Sequence, residues 1–112
     1  MTDCLFCKIV SGEIPATIVK DGDEFIAFRD VNPRAPIHVL AIPKAHVRSL
    51  NELDDAGVAG RLLMFAREVA SAEGMADDGF RTVINTNDHG GQTVWHLHVH
   101  LLGGRAMEWP PG

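Results

Sequence analysis

Three histidines alternate with apolar residues near the end of the chain, in the order His96-Leu97-His98-Val99-His100. Successive side chains of a β-strand point to opposite faces, so the histidines are predicted to share one face and the apolar residues to fill the core behind them. An imidazole with an ordinary pKa of ~6.5 is mostly neutral yet easily protonated at cellular pH. The row therefore predicts proton transfer, nucleophilic attack or metal binding.

The two cysteines of the chain, Cys4 and Cys7, form a C-x-x-C pair. Such a pair is a redox dithiol, half of a tetrahedral metal site, or two unconnected buried thiols. Dithiol oxidoreductases usually carry the motif where a strand runs into a helix, and no strand fits into the three residues before Cys4. The redox reading is therefore disfavoured.

The apolar pattern that must position these residues predicts an α+β chain. Residues 58, 62, 65, 69 and 72 repeat at helical spacing, so one long helix is predicted to begin near Asp54 or Asp55 and to end at Gly74. A short helix or turn is predicted over Cys4 to Val10. Strands are predicted at 16–20, 24–30, 37–42, 80–85 and 95–102.

Two predicted loops bring further polar groups toward the strand ends. Asp30 lies where a strand opens into a loop that contains two prolines, and such a carboxylate is solvated, caps a turn or receives a ligand hydroxyl. The loop from Thr86 to Thr93 contains Gly90-Gly91, which lets the backbone approach a ligand closely. This loop points to a ligand site because it ends at Thr93, three residues before His96.

Composition excludes several classes of function. The 112 residues suffice for one domain, and 10 basic against 15 acidic residues give a net charge of −5 without a lysine and arginine cluster. A nucleic acid polymer is therefore not an expected partner. The sequence contains neither a signal-peptide pattern nor an apolar run of ~20 residues, so we expect a cytoplasmic protein without a membrane partner.

The stretch 96–102 matches the signature of the histidine triad (HIT) superfamily, His-φ-His-φ-His-φ-φ with φ apolar, at every position. The segments 28–30, 41–44, 90–93, 103–105 and 109–112 resemble its Hint branch, the purine nucleoside phosphoramidases. The resemblance implies one HIT domain over residues 1–112, with a five-stranded antiparallel sheet, one long helix and a short N-terminal helix. It also implies a homodimer whose two sheets are joined.

The resemblance further implies a hydrolase that cleaves the P–N bond of purine nucleoside 5′-phosphoramidates, including adenosine 5′-monophosphoramidate and aminoacyl-AMP-type substrates. His98 would attack the α-phosphorus, and water would cleave the resulting nucleotidyl-histidine to the nucleoside monophosphate. His100 and the loop donors would hold the phosphoryl oxygens, and Thr93 would deliver a proton to the amine. The implied catalytic residues are Thr93, His96, His98 and His100.

By the same resemblance, apolar side chains enclose the base and Asp30 accepts bonds from the ribose hydroxyls. The full set of implied nucleotide contacts is Phe6, Ile9, Ile14, Phe28, Asp30, Val31, Asn85, Gly91, Gln92, Thr93, His98, Val99 and His100. Trp109 of the partner subunit would touch the leaving group. Two positions depart from the pattern, since Thr93 stands where serine is common and Trp95 where tyrosine is common. Threonine keeps the hydroxyl but adds a methyl.

Some superfamily members hold zinc at positions that match Cys4, Cys7, His46 and His96. Two sulfurs and two nitrogens make a closed tetrahedral set, which implies a structural Zn²⁺ that the chemistry does not require.

Two other functions remain open from the residues alone. Alternate histidines can ligate a catalytic metal that activates water, with Asp30 as the available carboxylate. A nucleotide-binding or scaffolding module could also keep the pocket without turnover. The intact triad and Thr93 argue against this last alternative.

Overall fold

The computed structural model describes residues 3–112. Five strands form one antiparallel sheet in the order β1-β2-β3-β5-β4, so the predicted α+β fold is confirmed. In chain order the elements are α1 (Leu5–Val10), β1 (Ile18–Asp21), β2 (Phe25–Arg29), β3 (Ile37–Pro43), a 3₁₀ turn (Leu50–Glu52), α2 (Ala56–Ala72), β4 (Arg81–Val83), α3 (Asn87–Gly90) and β5 (Val99–Gly103). None of these helices is long and apolar enough to cross a membrane.

The sheet is packed on both faces, and each face has its own apolar cluster. Ala41 and Val99 are direct neighbours on β3 and β5, and both lie in the cluster under α2. The next pair, Leu40 and His100, points to the opposite face, where Leu40 packs with Phe6 of α1. Burial on both faces explains why β3 reads as a nearly continuous apolar run.

The long helix begins one residue after Asp55, whose carboxylate accepts the backbone N–H groups of Gly57 and Val58 at 2.9 and 3.3 Å. Of the two predicted starts, Asp55 is therefore the N-cap. Most of the predicted stripe is buried or half-buried on the sheet, but Ala72 is exposed. Met64, on the same helix, is half exposed.

The predicted strand 95–102 is wrong at its start, because β5 begins at Val99. The chain before it bonds elsewhere, and the Leu97 N–H donates to the Val47 carbonyl at 2.6 Å. The predicted alternation of burial nevertheless holds, since Leu97, Val99 and Leu101 all lie under α2. The predicted strand 80–85 is also too long, and β4 has only three residues.

Gly103 at the end of β5 tests this packing. A Cβ at this position would lie 2.5 Å from the Sδ and 3.0 Å from the Cβ of Met75, which is buried. We expect Gly103→Ala to lower the free energy of unfolding by about 1–3 kcal/mol, because the core must shift to admit the methyl group. Urea titration of the folded protein measures this change.

Gly60→Ala is the matched control. Gly60 lies inside α2, and a Cβ there meets no atom within 4 Å. Alanine should therefore raise the free energy of unfolding by about 0.5–1 kcal/mol through helix propensity. Equal stability of Gly103→Ala and the wild type would contradict the packing of Met75 against β5.

Candidate active site

A cavity of about 550 Å³ lies between α1 and the face of the sheet that carries His98 and His100. Ten of the thirteen expected nucleotide contacts line it, namely Phe6, Ile9, Ile14, Phe28, Asp30, Val31, Gly91, Thr93, His98 and His100. The remaining three, Asn85, Gln92 and Val99, do not. The fold thus brings a mixed apolar and polar wall around two of the three triad histidines.

His98 is buried and held by its own backbone. Its Nδ1 lies 2.7 Å from the carbonyl oxygen of His96, and a carbonyl only accepts, so Nδ1 carries the proton. The lone pair is therefore on Nε2. Burial lowers the pKa of His98, which keeps the ring neutral at neutral pH. The Phe6 ring packs edge to face against it at 5.1 Å between centroids. The neutral His98 ring thus has one nitrogen, Nε2, whose free lone pair could serve as a nucleophile.

A fourth histidine, His38, sets the tautomer of His100. The backbone N–H of Arg34 donates to His38 Nδ1 at 3.0 Å, so the proton of this neutral ring lies on Nε2. His38 Nε2 lies 2.9 Å from His100 Nδ1 and 3.4 Å from the Asp30 carboxylate. Burial lowers the pKa of His38, against the opposing charge of Asp30. His38 therefore donates a hydrogen bond to His100 Nδ1.

Sequence reasoning did not identify His38. The available signal was a single polar residue inside the apolar run of β3, at the same parity as Leu40 and Ile42, which face α1. A polar side chain facing that cluster needs a partner. The partner is His100, which belongs to a strand 62 residues away in the chain.

His100 accepts at Nδ1 and so carries its proton on Nε2. This Nε2 is buried and has no hydrogen-bond partner among the described residues. Burial, then the neighbouring rings of His98 and His38, lower the pKa of His100 to about 4. The ring is therefore a neutral N–H donor at pH 7. A buried donor without a partner costs roughly 1–3 kcal/mol, which an acceptor oxygen in the cavity would offset.

Asp30, His38 and His100 could also hold a metal, since one donor atom of each lies within 4.8 Å of the others. Metal binding would need lone pairs on both His38 Nε2 and His100 Nδ1. The Arg34 N–H places the lone pair of His38 on Nδ1, so its Nε2 has a proton instead. The hydrogen-bonded chain therefore fits this cluster better than a metal ion does.

The third triad histidine, His96, is fully buried and does not line the cavity. Its Nε2 donates to the Pro43 carbonyl at 2.7 Å, so its Nδ1 lone pair faces the cysteines. The donor atoms of Cys4, Cys7, His46 and His96 all lie within 4.8 Å of one another. His96 is thus linked to the cavity through its backbone carbonyl, which accepts the hydrogen bond from His98 Nδ1.

The donor set at the cysteines fits zinc. Sulfur and nitrogen atoms lie 3.3 Å apart for Cys4 and His96 and 3.4 Å apart for Cys7 and His46. Ligand bonds of about 2.3 Å to sulfur and 2.0 Å to nitrogen in a tetrahedron require a separation of about 3.5 Å. Four side chains complete the tetrahedron, so a metal held here would be structural.

Gln92 holds the loop in place instead of lining the cavity. Its Oε1 accepts from the Asn87 N–H at 3.0 Å, and its Nε2 donates to the carbonyls of Arg48 and Val94 at 2.9 and 3.0 Å. The side chain is buried. The Gly91 N–H is also engaged, with the Asp88 carbonyl at 3.0 Å. These groups position Thr93, which lines the cavity.

The other expected contacts lie farther from the triad. Val99 is buried under α2, and Asn85 lies half-buried after β4. Trp109 is 81% exposed, 6.0 Å from the Arg81 guanidinium, and does not line the cavity of its own chain.

The chain is similar to proteins of known family. The family model described as the HIT domain matches residues 11–107. The chain is 44% identical over 107 residues to the purine nucleoside phosphoramidase of Escherichia coli, and this match covers 94% of this chain and 90% of that protein. It is 48% identical over 114 residues to a 14 kDa zinc-binding protein of Brassica juncea, and this match covers 98% of this chain and 100% of that protein.

A solved structure shows the same fold. The HIT family hydrolase of Legionella pneumophila superposes with a TM-score of 0.95 at 50% sequence identity. The match covers 98% of this chain and all of the other.

Zinc content tests the cysteine site. We expect protein purified without chelator to carry about one zinc per chain, and the double variant Cys4→Ser/Cys7→Ser to carry none, because two of the four donors are lost. Elemental analysis of freshly purified protein measures the content. His89→Ser is the control, since His89 is exposed and lies outside the donor set. Wild-type protein without zinc and with both thiols titratable would contradict the site.

Proposed function

The chain belongs to the HIT domain family, on its Hint branch, and from this we propose that it hydrolyses the P–N bond of purine nucleoside 5′-phosphoramidates. Adenosine 5′-monophosphoramidate and aminoacyl-AMP-type substrates are the proposed class. One observation carries the proposal: the lone pair of His98 Nε2 and the unpartnered N–H of His100 Nε2 belong to neighbouring rings on one cavity. A nucleophile beside a donor suits attack at a phosphoryl group.

In the first step, His98 Nε2 forms a bond to the α-phosphorus as the P–N bond breaks. The electron pair leaves with the nitrogen, which takes a proton passed through the Thr93 hydroxyl. In the second step, water attacks the phosphorus and the bond to Nε2 breaks, returning its electron pair to the ring. Water supplies the oxygen of the nucleoside monophosphate and replaces the proton that left with the amine.

The donors at the phosphoryl oxygens act through fixed geometry. His38 holds His100 in the tautomer that presents an N–H, and this donor needs no reorientation as charge develops on the phosphoryl oxygens. The low pKa of His100 means that it contributes as a neutral donor. Gly91 has no side chain to obstruct the phosphate.

The rest of the cavity suits a nucleoside. Phe6 and Phe28 meet edge to face at 5.3 Å, and with Ile9 and Ile14 they offer an apolar wall for a purine. The Asp30 carboxylate accepts from the Asn32 N–H at 2.8 Å and keeps lone pairs for ribose hydroxyls.

We also propose that two copies join along β4, which is an edge of the sheet. The tail supports this, because Trp109 is mostly exposed beside Arg81 of that edge strand. In such a homodimer, Trp109 of the partner subunit would contact the leaving group. Zinc at the cysteine site would brace the fold and take no part in the reaction.

His98→Asn tests the nucleophile. Asparagine can keep a hydrogen bond to the His96 carbonyl but cannot attack phosphorus, so kcat should fall by at least about 10³-fold while AMP binds within about threefold of wild type. Intact-mass analysis of wild-type protein quenched during turnover should show one added nucleoside monophosphate, and the variant should show none.

Controls separate this mechanism from the two alternatives. His89→Asn changes an exposed histidine outside the cavity and should turn over normally, and light scattering should give equal masses for all three proteins. Activity lost on chelation while the fold persists would favour a metal-dependent hydrolase. AMP binding without turnover by the wild type would leave only a binding module.

Asp30→Asn tests the ribose contact. The amide replaces an acceptor oxygen by a donor, so the Michaelis constant should rise more for ribonucleoside substrates than for their 2′-deoxy counterparts. The comparison within each variant removes any effect that Asp30 has on His38, because both sugars meet the same protein. Equal increases for both sugars would assign Asp30 another role.

A further inference from the structure

A second cavity of about 550 Å³ adjoins the active site beyond Thr93. Leu5, Thr93 and Val94 line both cavities, so the two share a wall. The lining of the second cavity is completed by Asp3, Cys4, His46, Arg48 and Trp95. Under the proposed function, the departing nitrogen lies beside Thr93, and substituents on that nitrogen extend toward this second cavity.

The wall of this second cavity is held by partly buried hydrogen bonds. The Gln92 carboxamide joins the backbone carbonyls of Arg48 and Val94, which lie 46 residues apart in the sequence. The Leu97 N–H adds a second tie to the same segment through Val47 at 2.6 Å. Arg48 is therefore fixed beside the loop that carries Thr93.

The guanidinium of Arg48 lies 4.4 Å from the centre of the Trp95 ring. Stacking on an aromatic face orders the planar group and leaves its N–H edge free to bind a carboxylate with two parallel hydrogen bonds. Across residues 3–112, no carboxylate oxygen lies within 4.0 Å of the Arg48 guanidinium. The Arg48 guanidinium is therefore able to bind an anionic ligand in the second cavity.

We propose that the second cavity is the amine subsite and that Arg48 selects leaving groups carrying a carboxylate, as in an amino acid linked through its α-nitrogen. This inference rests on the proposed function and names its substrate class. The exposed faces of Leu5 and Trp95 offer apolar contact to the side chain of such an amine. Asp3 lines the same cavity, and its negative charge repels an anionic leaving group. This repulsion limits how strongly a carboxylate on the amine is preferred.

The test compares two adenosine 5′-phosphoramidates of nearly equal size, one made from glycine and one from glycinamide. They differ in one carboxylate, so the ratio of their kcat/KM values reports recognition of that charge. The wild type should favour glycine, and Arg48→Gln should lower the ratio about tenfold through loss of a charge-assisted, bidentate contact. Because both values come from one sample, a partly inactive variant leaves the ratio unaffected.

Three further variants sharpen the result. Arg48→Lys keeps the charge without the planar fork and should give an intermediate ratio. Asp3→Asn should raise the ratio, because it removes the opposing charge. Arg67→Gln removes a positive charge from an exposed position on α2 and should leave the ratio at the wild-type value.

The outcomes separate this inference from the proposed function. Failure of the wild type to hydrolyse adenosine 5′-monophosphoramidate would overturn the proposed function itself. Hydrolysis of that substrate, with equal ratios in the wild type and Arg48→Gln, would overturn the inference alone. An equal fall in Arg67→Gln would also overturn it, since the preference would then follow net charge. A fall in Arg48→Gln, with the wild-type ratio kept in Arg67→Gln, supports it.

Discussion

The site depends on neutral histidines whose protons are fixed by backbone groups. The His96 carbonyl places the His98 proton on Nδ1, and the Arg34 N–H places the His38 proton on Nε2. His38 in turn sets His100. Burial is the first cause of the lowered pKa of His38, His98 and His100, so all three rings remain neutral at pH 7. One acceptor and one donor of the backbone thus fix a lone pair on His98 Nε2 and an N–H on His100 Nε2.

The two faces of the sheet are covered differently, so the His98 and His100 rings are buried and yet a ligand can reach them. Under α2 the sheet is sealed by apolar side chains, whereas on the other face the short α1 covers only part of the surface. His98 and His100 lie at the uncovered margin, where their rings are largely desolvated yet still border a cavity. A longer first helix would bury the rings completely, and a more open face would return their pKa values to the ordinary range.

The sequence was sufficient for the fold class, because this class follows from local patterns and from the histidine signature. Ten of the thirteen expected nucleotide contacts lie on one cavity, and their contact with a nucleotide stays a prediction. The start of β5 was missed because residues 96–98 alternate like a strand, while their backbone bonds to a segment near residue 47. Gln92 was expected among the nucleotide contacts because of the resemblance to the Hint branch. Its three bonds to backbone groups become visible only when distant segments meet. His38 was missed for the same reason.

His96 connects the two clusters through different atoms of one residue. Its Nδ1 faces Cys4 and Cys7, its Nε2 donates to Pro43, and its carbonyl accepts from His98. A ring held on both nitrogens cannot swing, so the carbonyl that sets the tautomer of His98 is held as well. The cysteine cluster therefore helps to fix the position of the backbone oxygen that accepts from His98. A set of side chains that fits zinc thus lies two residues from His98 in the sequence, and none of its four members lines the cavity beside His98 and His100.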